Sequence, residues 1–408
     1  MSPVRVIAAM CLAHVLSMAG FSTYPALLPT LQSEWALTNT EAGWVASVFF
    51  VGYVAAVALL TSLTDRIDAR RVYLASLVLS ALALIGFAAF VDGFWSAALW
   101  RTLAGIGLAG SYMPGMKALT DRIGTHTQSR AVAFYTAHFA IGVSVSFALS
   151  GPLDAWLGWR GAFALSAAGP ALALLPAIAV LRPRPPDPAA KPPTHILDFR
   201  PVLRARAAMA YILAYTGHSW ELFAMRAWVV AFFVLSQEIG PDWGVLDATA
   251  LAALIGLVGL PASVIGNELA VRFGRRRMVI GIMLLSFAMS CAVGFSAALP
   301  LAAVAALCLV YNALVTADSA AITAGAIAAA PAGYRGATMA VHSLIGFSGG
   351  VVGPLAVGLV LDMAGGGASL VAWGLGFATM GAGVALGAAA LWLVHPRPAA
   401  VPAANGRA

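Results

Sequence analysis

Ionisable side chains inside strongly apolar stretches are the residues of this chain that are best suited to chemistry. The stretch 208–235 holds His218, Glu221 and Arg226. At about 100° per helical residue, His218 and Glu221 lie on one face about 60° apart, whereas Arg226 is about 140° from Glu221. An ionised acid is unfavourable in apolar surroundings and a neutral one is cheap, while an imidazole titrates near neutrality. We therefore predict that Glu221 carries a proton and that His218 is its partner.

Other apolar stretches contribute further polar candidates for a substrate or proton site. These are Arg101, Tyr112, His138, Asn312, Asp318 and His342. Asp318 is the second candidate for the proton carrier. Arg101 is open to two interpretations, as a ligand of the substrate or as a structural bond between helices. His138 and His342 are single histidines, which either face a cavity or only bond a backbone carbonyl.

These side chains must be positioned by elements that are surrounded by lipid. The chain has 408 residues, of which 61% are hydrophobic and only 10% charged, too little charge to cover a soluble protein of this size. A spanning helix needs about 20 mainly apolar residues. Twelve stretches meet this requirement, near 6–30, 42–63, 72–91, 94–117, 130–154, 161–181, 208–235, 247–271, 277–297, 300–326, 336–361 and 370–393. Because backbone groups in lipid must be satisfied internally and no period-two strands occur, the predicted fold is an all-α integral membrane protein with twelve transmembrane helices.

The basic residues predict the orientation of these helices. Of the 23 Lys and Arg residues, all but Arg101, Arg160 and Arg226 fall on the termini or on alternate connections. Cytoplasmic connections carry the excess of Lys and Arg in membrane proteins. We therefore expect both termini to be cytoplasmic in a multi-pass protein of the inner (plasma) membrane. The net charge of +7 follows from this bias and does not indicate a nucleic-acid partner.

A polar, proline-rich stretch that begins at Arg182 divides the chain once. It cannot form a spanning helix and is typical of a linker. Six apolar stretches precede it and six follow it. The predicted domains are a six-helix bundle at 1–181 and a second one at 207–394. A cytoplasmic linker at 182–206 joins the bundles, and a cytoplasmic tail follows at 395–408.

Several function classes lack the residues that they need. Cys11, Cys291 and Cys308 all fall inside apolar stretches without the spacing of a zinc site. No phosphate-binding GxxxxGK[ST] motif and no HExxH constellation occurs in the sequence. We expect no enzymatic activity, no cofactor and no bound metal.

Short motifs resemble those of one transporter family. Residues 61–71 read TSLTDRIDARR, similar to the signature GxLaDRxGRR, and residues 267–276 read NELAVRFGRR, a second copy that has Val271 in place of the acid. Residues 101–107 read RTLAGIG, similar to RxxxGxG. With the twelve stretches and the central linker, the chain resembles a twelve-helix member of the major facilitator superfamily. The two parallel halves of this fold place the substrate site near the midplane between them.

The resemblance implies a cytoplasmic latch between the halves. The matching residues are Asp65, Arg66, Arg70 and Arg71, and Asp121 would extend the network through Arg66 or Arg70. In this family the acid at the end of the second helix lies beside the positive N-terminus of the eleventh, which an adjacent carboxylate stabilises. The latch would hold in the outward-open state and break on inward opening.

The resemblance also implies the function. We expect a secondary transporter that moves a small organic solute by alternating access, coupled to protons, and that works as a monomer in the lipid bilayer. An efflux antiporter and an organic-anion uptake symporter are both open within this class. A membrane sensor that transports nothing is the alternative outside it, although no sensory domain is attached to the helices.

Overall fold

The computed structural model describes residues 2–184, 198–241 and 247–396, and these residues form helices joined by short loops. The first half contains α1 (Pro3–Ser17), α2 (Thr23–Ala26), α3 (Leu28–Glu34), α4 (Asn39–Leu63), α5 (Ala69–Phe90), α6 (Phe94–Ser111), α7 (Met113–Thr120), α8 (Thr125–Ser166) and α9 (Ala168–Val180). The second half contains α10 (Arg200–Arg204), α11 (Arg206–Ile239), α12 (Ala248–Phe273), α13 (Arg275–Gly294), α14 (Leu301–Ala317), α15 (Ser319–Ala328), α16 (Arg335–Gly346), α17 (Ser348–Met363) and α18 (Leu370–Val394).

All twelve predicted stretches fall on these helices. Among the described residues, nine helical stretches are long and apolar enough to cross a membrane by themselves. One of the nine, Thr125–Val180, contains two predicted stretches, and its backbone leaves helical geometry at Gly158. Two predicted stretches remain. One is 94–117, which begins with α6, the helix that carries Arg101, and the other is the first stretch, which is divided among α1, α2 and α3. The all-α membrane fold predicted from composition is therefore confirmed.

Breaks within the spanning stretches separate α6 from α7, α14 from α15 and α16 from α17. Tyr112 lies at the first break, where Pro114 enters the second position of α7. Proline has no N–H and cannot continue the hydrogen-bond ladder of the preceding helix. Asp318 lies at the second break, where it is both the C-cap residue of α14 and the N-cap residue of α15. The breaks thus place two predicted site residues at helix ends inside the apolar layer.

All three predicted domain boundaries fall on described residues. The short helix α10 (Arg200–Arg204) lies inside the segment predicted as a linker and is far too short to span a membrane. A proline at its first turn fits the start of a helix, because the first-turn N–H groups have no helical partner. Residues 185–197 of the linker and the tail from residue 397 onwards lie outside the described residues.

The helix ends define two faces of the protein. The face that holds the start of α1 and the ends of α9 and α18 is called the terminal face, and the opposite one the distal face. On the terminal face Arg122 donates to the carbonyl of Arg182, and on the distal face Trp159 donates to the carboxylate of Glu34. Both bonds join residues of the first half.

Glycines allow the helices that carry the site to pack closely. A Cβ on Gly105 of α6 would overlap the carbonyl oxygen of Phe49 in α4, and one on Gly358 of α17 would overlap that of Asn39. Small residues at such crossings let helix backbones approach in a membrane. The first contact sets the depth of Arg101, and the second joins the two halves at the distal face.

Candidate functional site

A buried carboxyl group in the second half is the centre of the candidate site. Glu221 of α11 is 0% exposed. Its carboxyl oxygens accept hydrogen bonds from the hydroxyls of Ser286 on α13, at 2.9 and 3.0 Å, and of Tyr311 on α14, at 3.1 Å. Three helices therefore hold this carboxyl in place through hydroxyl donors, without a cation.

The second predicted carrier makes the close contact with His218 that was expected of the first. The Oδ1 atom of Asp318 lies 2.7 Å from Nδ1 of His218, and both side chains are at most 2% exposed. The predicted pairing of His218 with Glu221 is thus wrong. The helical spacing placed both on one face of α11, but the break after α14 brings the carboxyl of Asp318 to the imidazole first.

His218, Glu221, Ser286, Tyr311 and Asp318 together form what we call the carboxyl cluster. Asp318 and Glu221 are electrostatic neighbours within it. Two carboxylates in one desolvated site repel each other, and binding of a proton by either one relieves the repulsion. Burial of ionisable groups at membrane depth is costly and marks proton or substrate pathways. Chemically, the cluster is suited to bind and release a proton.

Rings connect the carboxyl cluster to His342, another of the predicted residues. The Tyr215 ring lies 5.1 Å from the His218 ring and 4.1 Å from the His342 ring, centroid to centroid. His342 is only 3% exposed, and its Nε2 atom is 3.4 Å from the hydroxyl of Thr323. His342 therefore lies beside the cluster in the second half.

Three other predicted residues lie outside the cluster. Asn312 donates to the carbonyl of Ile255 at 2.7 Å, which joins α14 to α12, so a ligand role is not supported. Nδ1 of His138 lies 2.6 Å from the carbonyl oxygen of Phe134 on its own helix, which fits the alternative of a bond to a backbone carbonyl. Tyr112 lies over the ring of His14 in the first half, with centroids 5.6 Å apart.

The predicted arginines line a small cavity between the halves. Arg101 comes from the first half and Arg226 from the second, and the cavity has a volume of about 20 Å³. The guanidinium carbon of Arg101 is 4.6 Å from the centroid of Phe49, and that of Arg226 is 5.7 Å from the centroid of Phe223. Among the described residues, neither guanidinium makes a salt bridge with a carboxylate. The sequence predicted both arginines as cations of the central cavity, and the structure places both in the lining of this one.

The structure also corrects the predicted network at the terminal face. Asp121 pairs with Lys117 on its own helix at 3.0 Å, and not with Arg66 or Arg70. Within the described residues, the side chains of Arg66, Arg70 and Arg71 form no hydrogen bond or salt bridge. The acid that binds an arginine here is Asp68, which stands where the family signature has a glycine.

Asp68 fastens the terminal face of the first half. Its carboxylate accepts from Nη2 of Arg122 at 2.7 and 2.9 Å and from the backbone N–H of Arg184 at 2.7 Å. Partial burial alone would raise the pKa of Asp68, but these bonds and the N–H of Arg70 outweigh it and lower the pKa. Asp68 therefore stabilises the folded protein when it is ionised.

Asp65 behaves in the opposite way. Desolvation raises the pKa of Asp65, nearby Asp121 raises it further, and Lys117 only partly opposes this shift. The described residues hold no hydrogen bond or ion pair between the Asp65 side chain and α16. The predicted contact of Asp65 with the N-terminus of this helix is absent from the conformation in the structure.

A polar contact between the halves lies instead at the distal face, where the only signal in the sequence is an acid at the end of an apolar stretch. Asp362 at the end of α17 accepts four hydrogen bonds from the start of α4. The donors are the backbone N–H groups of Asn39 (3.0 Å) and Thr40 (2.8 Å), the Asn39 amide (2.7 Å) and the Thr40 hydroxyl (2.6 Å). A carboxylate on the free N–H groups of a helix N-terminus is favourable both as hydrogen-bond acceptor and as charge. We call this contact the distal clasp.

Comparison with known proteins gives a family match over most of the chain. A family model described as Major Facilitator Superfamily matches residues 10–354. A solved structure of a bacterial homologue of the human lysosomal transporter Spinster, inward-facing and unoccupied, superposes with a TM-score of 0.80 at 16% identity, over 97% of this chain and 98% of that one. This likeness extends to the whole fold.

Curated relatives match over shorter segments. The niacin transporter NiaP of Acinetobacter baylyi is 27% identical over 137 residues, which are 34% of this chain and 31% of the relative. A probable 4-methylmuconolactone transporter of Cupriavidus pinatubonensis is 28% identical over 146 residues, which are 34% of this chain and 33% of the relative. The matched segments thus span about a third of the length of these relatives.

Proposed function

The chain belongs to the Major Facilitator Superfamily, and from this premise we propose that it is a secondary active transporter that couples the movement of a small organic solute to protons. The observation that carries the coupling is the carboxyl cluster. It contains two acids and an imidazole, all buried, and no other acid of the described residues is buried. A transporter has no folding need for such a group, because buried charge is costly and an apolar replacement packs as well.

The contacts of the cluster suggest how a proton would be coupled to opening. Glu221 is held only by the hydroxyls of Ser286 and Tyr311, which remain satisfied when the carboxyl is protonated. Ionised, Glu221 would repel Asp318 and favour a state in which water reaches it. Protonation therefore favours the closed packing of α11 against α13 and α14, and deprotonation favours its opening. A ligand or proton shifts a conformational equilibrium only by such a difference between the states.

Two gates at opposite faces complete the proposed cycle. The distal clasp is closed in the structure, whereas Asp65 at the terminal face makes no hydrogen bond or ion pair with α16 among the described residues. With cytoplasmic termini in the inner membrane, as the positive-inside rule predicts, this conformation is the inward-facing side of the cycle. In the outward-facing state we propose that the clasp opens and that Asp65 caps the N-terminus of α16.

A pH gradient is the direct test of this function. Purified protein in liposomes that contain a trapped pH indicator is expected to move protons when a transported solute is added, because solute and proton cross together or in exchange. The solute panel begins with the compounds in the relatives' names, niacin and 4-methylmuconolactone. Proton entry with the solute indicates symport, and proton exit as the solute enters indicates antiport. Solute transport that ignores the pH gradient would contradict proton coupling.

The two neighbouring acids of the terminal face, Asp65 and Asp68, are expected to respond differently to replacement by asparagine. Asp65→Asn should cut transport strongly and leave the melting temperature unchanged, since the pKa of Asp65 is raised and the folded protein gains nothing from its charge. Asp68→Asn should lower the melting temperature at neutral pH. Because the pKa of Asp68 is lowered by folding, its stabilisation is present above the normal carboxyl range and is lost as pH falls through the folded pKa, so the two melting curves should converge in acid. Thermal melts over pH and transport assays on both variants would check this, and normal transport by a folded Asp65→Asn protein would remove the latch.

A further inference from the structure

We infer that the cavity between Arg101 and Arg226 binds the carboxylate of a planar, otherwise apolar organic anion. This inference rests on the proposed function, because it names the class of the transported solute. It follows from the charges that line the cavity, from the other side chains around it and from its place between the halves.

The first observation is the excess of positive charge. Arg101 is only 4% exposed, and both its Nε atom and the Nη1 atom of Arg226 are buried without a hydrogen-bond partner. Leaving buried polar groups unpaired is costly, and leaving buried charges unpaired is more so. In the described parts of the chain no acid pairs with either guanidinium, and Glu221 and Asp318 are engaged within the carboxyl cluster instead. A bound anion would supply the negative charge that both guanidinium groups lack.

The second observation is the absence of other polar groups around the cavity. Its remaining described lining consists of aromatic rings, alanines and prolines, namely Phe21, Pro25, Ala46, Phe49, Phe50, Phe223, Ala227 and Pro354. Such a surface offers no hydrogen bonds to the hydroxyls of a sugar or to a zwitterion's ammonium group. It does suit a flat apolar body, because aromatic faces and edges stack on other rings.

The geometry of the guanidinium group selects the anion. Each arginine offers a planar fork of N–H donors that matches the two oxygens of a carboxylate. Each fork lies against aromatic rings, Arg101 on Phe49 and Arg226 near Phe139 at 5.8 Å, which limits the directions in which it can point. A carboxylate between the two forks would satisfy donors from both halves at once.

The size of the cavity ties binding to movement of the halves. About 20 Å³ is room for a single water molecule, so the organic body enters only when the halves separate. The contact that closes the cavity is the ring of Phe50 against that of Phe223, with centroids 4.1 Å apart. These rings come from α4 and α11, one from each half, so the anion would be enclosed by the closure that alternating access requires.

A matched ligand series tests this assignment with the intact protein. Benzoate and nicotinate are compared with benzamide and nicotinamide, which keep the ring but not the charge, and with benzylamine, which reverses it. Binding is followed by the thermal shift of purified protein in lipid nanodiscs at fixed ionic strength. The acids are expected to raise the melting temperature, and the amides and the amine to have no effect. Amides that bind as tightly as the acids, or an amine that binds alone, would overturn the assignment.

Substitutions of the two arginines test whether these residues bind the acids. Arg101→Gln and Arg226→Gln are each expected to weaken binding of the acids roughly tenfold or more, as is typical when a charge-assisted hydrogen bond is lost. The control is Arg160→Gln, whose guanidinium donates only to the carbonyls of Ala88 and Val91 near the distal face. Should a glutamine variant fail to fold, Arg226→Lys keeps the charge without the fork and should bind the acids weakly. Unchanged affinity in both folded arginine variants would contradict the site.

The outcomes separate this inference from the proposed function. Proton-driven transport of an amine or a neutral solute, with no binding of acids, would refute the carboxylate site alone. Binding of the acids through Arg101 and Arg226, without any proton-driven transport, would refute the coupled transport alone.

Discussion

Replacing Glu221 by glutamine is expected to abolish accumulation of solute against its gradient and to leave exchange of solute across the membrane intact. The amide resembles the protonated acid in size and charge, and its oxygen still accepts hydrogen bonds from Ser286 and Tyr311. Packing and solute binding should therefore persist. What the variant lacks is the ionised state, so the proton can no longer bind and leave during the cycle.

The measurement is made in two arms with the same proteoliposomes. Flux driven by an imposed pH gradient is recorded beside exchange of labelled solute at equal pH, for Glu221→Gln and for Asp318→Asn. Glu268→Gln on α12, an exposed acid, is the control and should retain both activities. If Glu221→Gln accumulates solute like the wild type while Asp318→Asn does not, the proton carrier is Asp318 and its partner His218. Loss of both activities together would indicate a structural role for Glu221.

Removal of the distal clasp by Asp362→Ala is expected to shift the protein towards a state that is open at the distal face. The substitution removes four hydrogen bonds that join α17 to the start of α4. Because donors at a solvated helix end bond water instead, we expect a net loss of about 1–3 kcal/mol, which changes the population roughly 5–150-fold.

Cysteine labelling measures this shift directly. Ala227 lines the central cavity and is replaced by cysteine in protein whose three native cysteines are changed to alanine. A membrane-impermeant thiol reagent added at the distal face should label Ala227→Cys about tenfold faster when Asp362→Ala is present. The control is Asp92→Ala, because Asp92 is an acid whose side chain bonds only Ser96 in its own turn. Equal labelling rates with and without Asp362 would show that the clasp does not hold the gate.

Much of the architecture and part of the site could be predicted from the sequence. Apolar stretches of spanning length have few alternatives to helices in lipid, so the positions of all twelve stretches follow from composition alone. Burying a charge in lipid is costly, so the rare ionisable residues at membrane depth are candidates for function even when their neighbours are unknown. These residues are Glu221, Asp318, Arg101 and Arg226. Motif spacing also indicated the family.

The partners of these residues were decided only by the tertiary structure. Helical spacing relates His218 to Glu221 on one helix, but the break at Asp318 and the packing of α14 on α11 determine which carboxyl reaches the imidazole. Likewise, the acid that binds Arg122 is Asp68 rather than an acid of the family signature, and the clasp at Asp362 joins residues more than three hundred positions apart. Local sequence determines whether a helix forms and how deep a charge lies, since both depend on the cost of exposure to lipid. Which charges meet depends on the rotation and breaks of several helices packed together, which no single stretch of sequence contains.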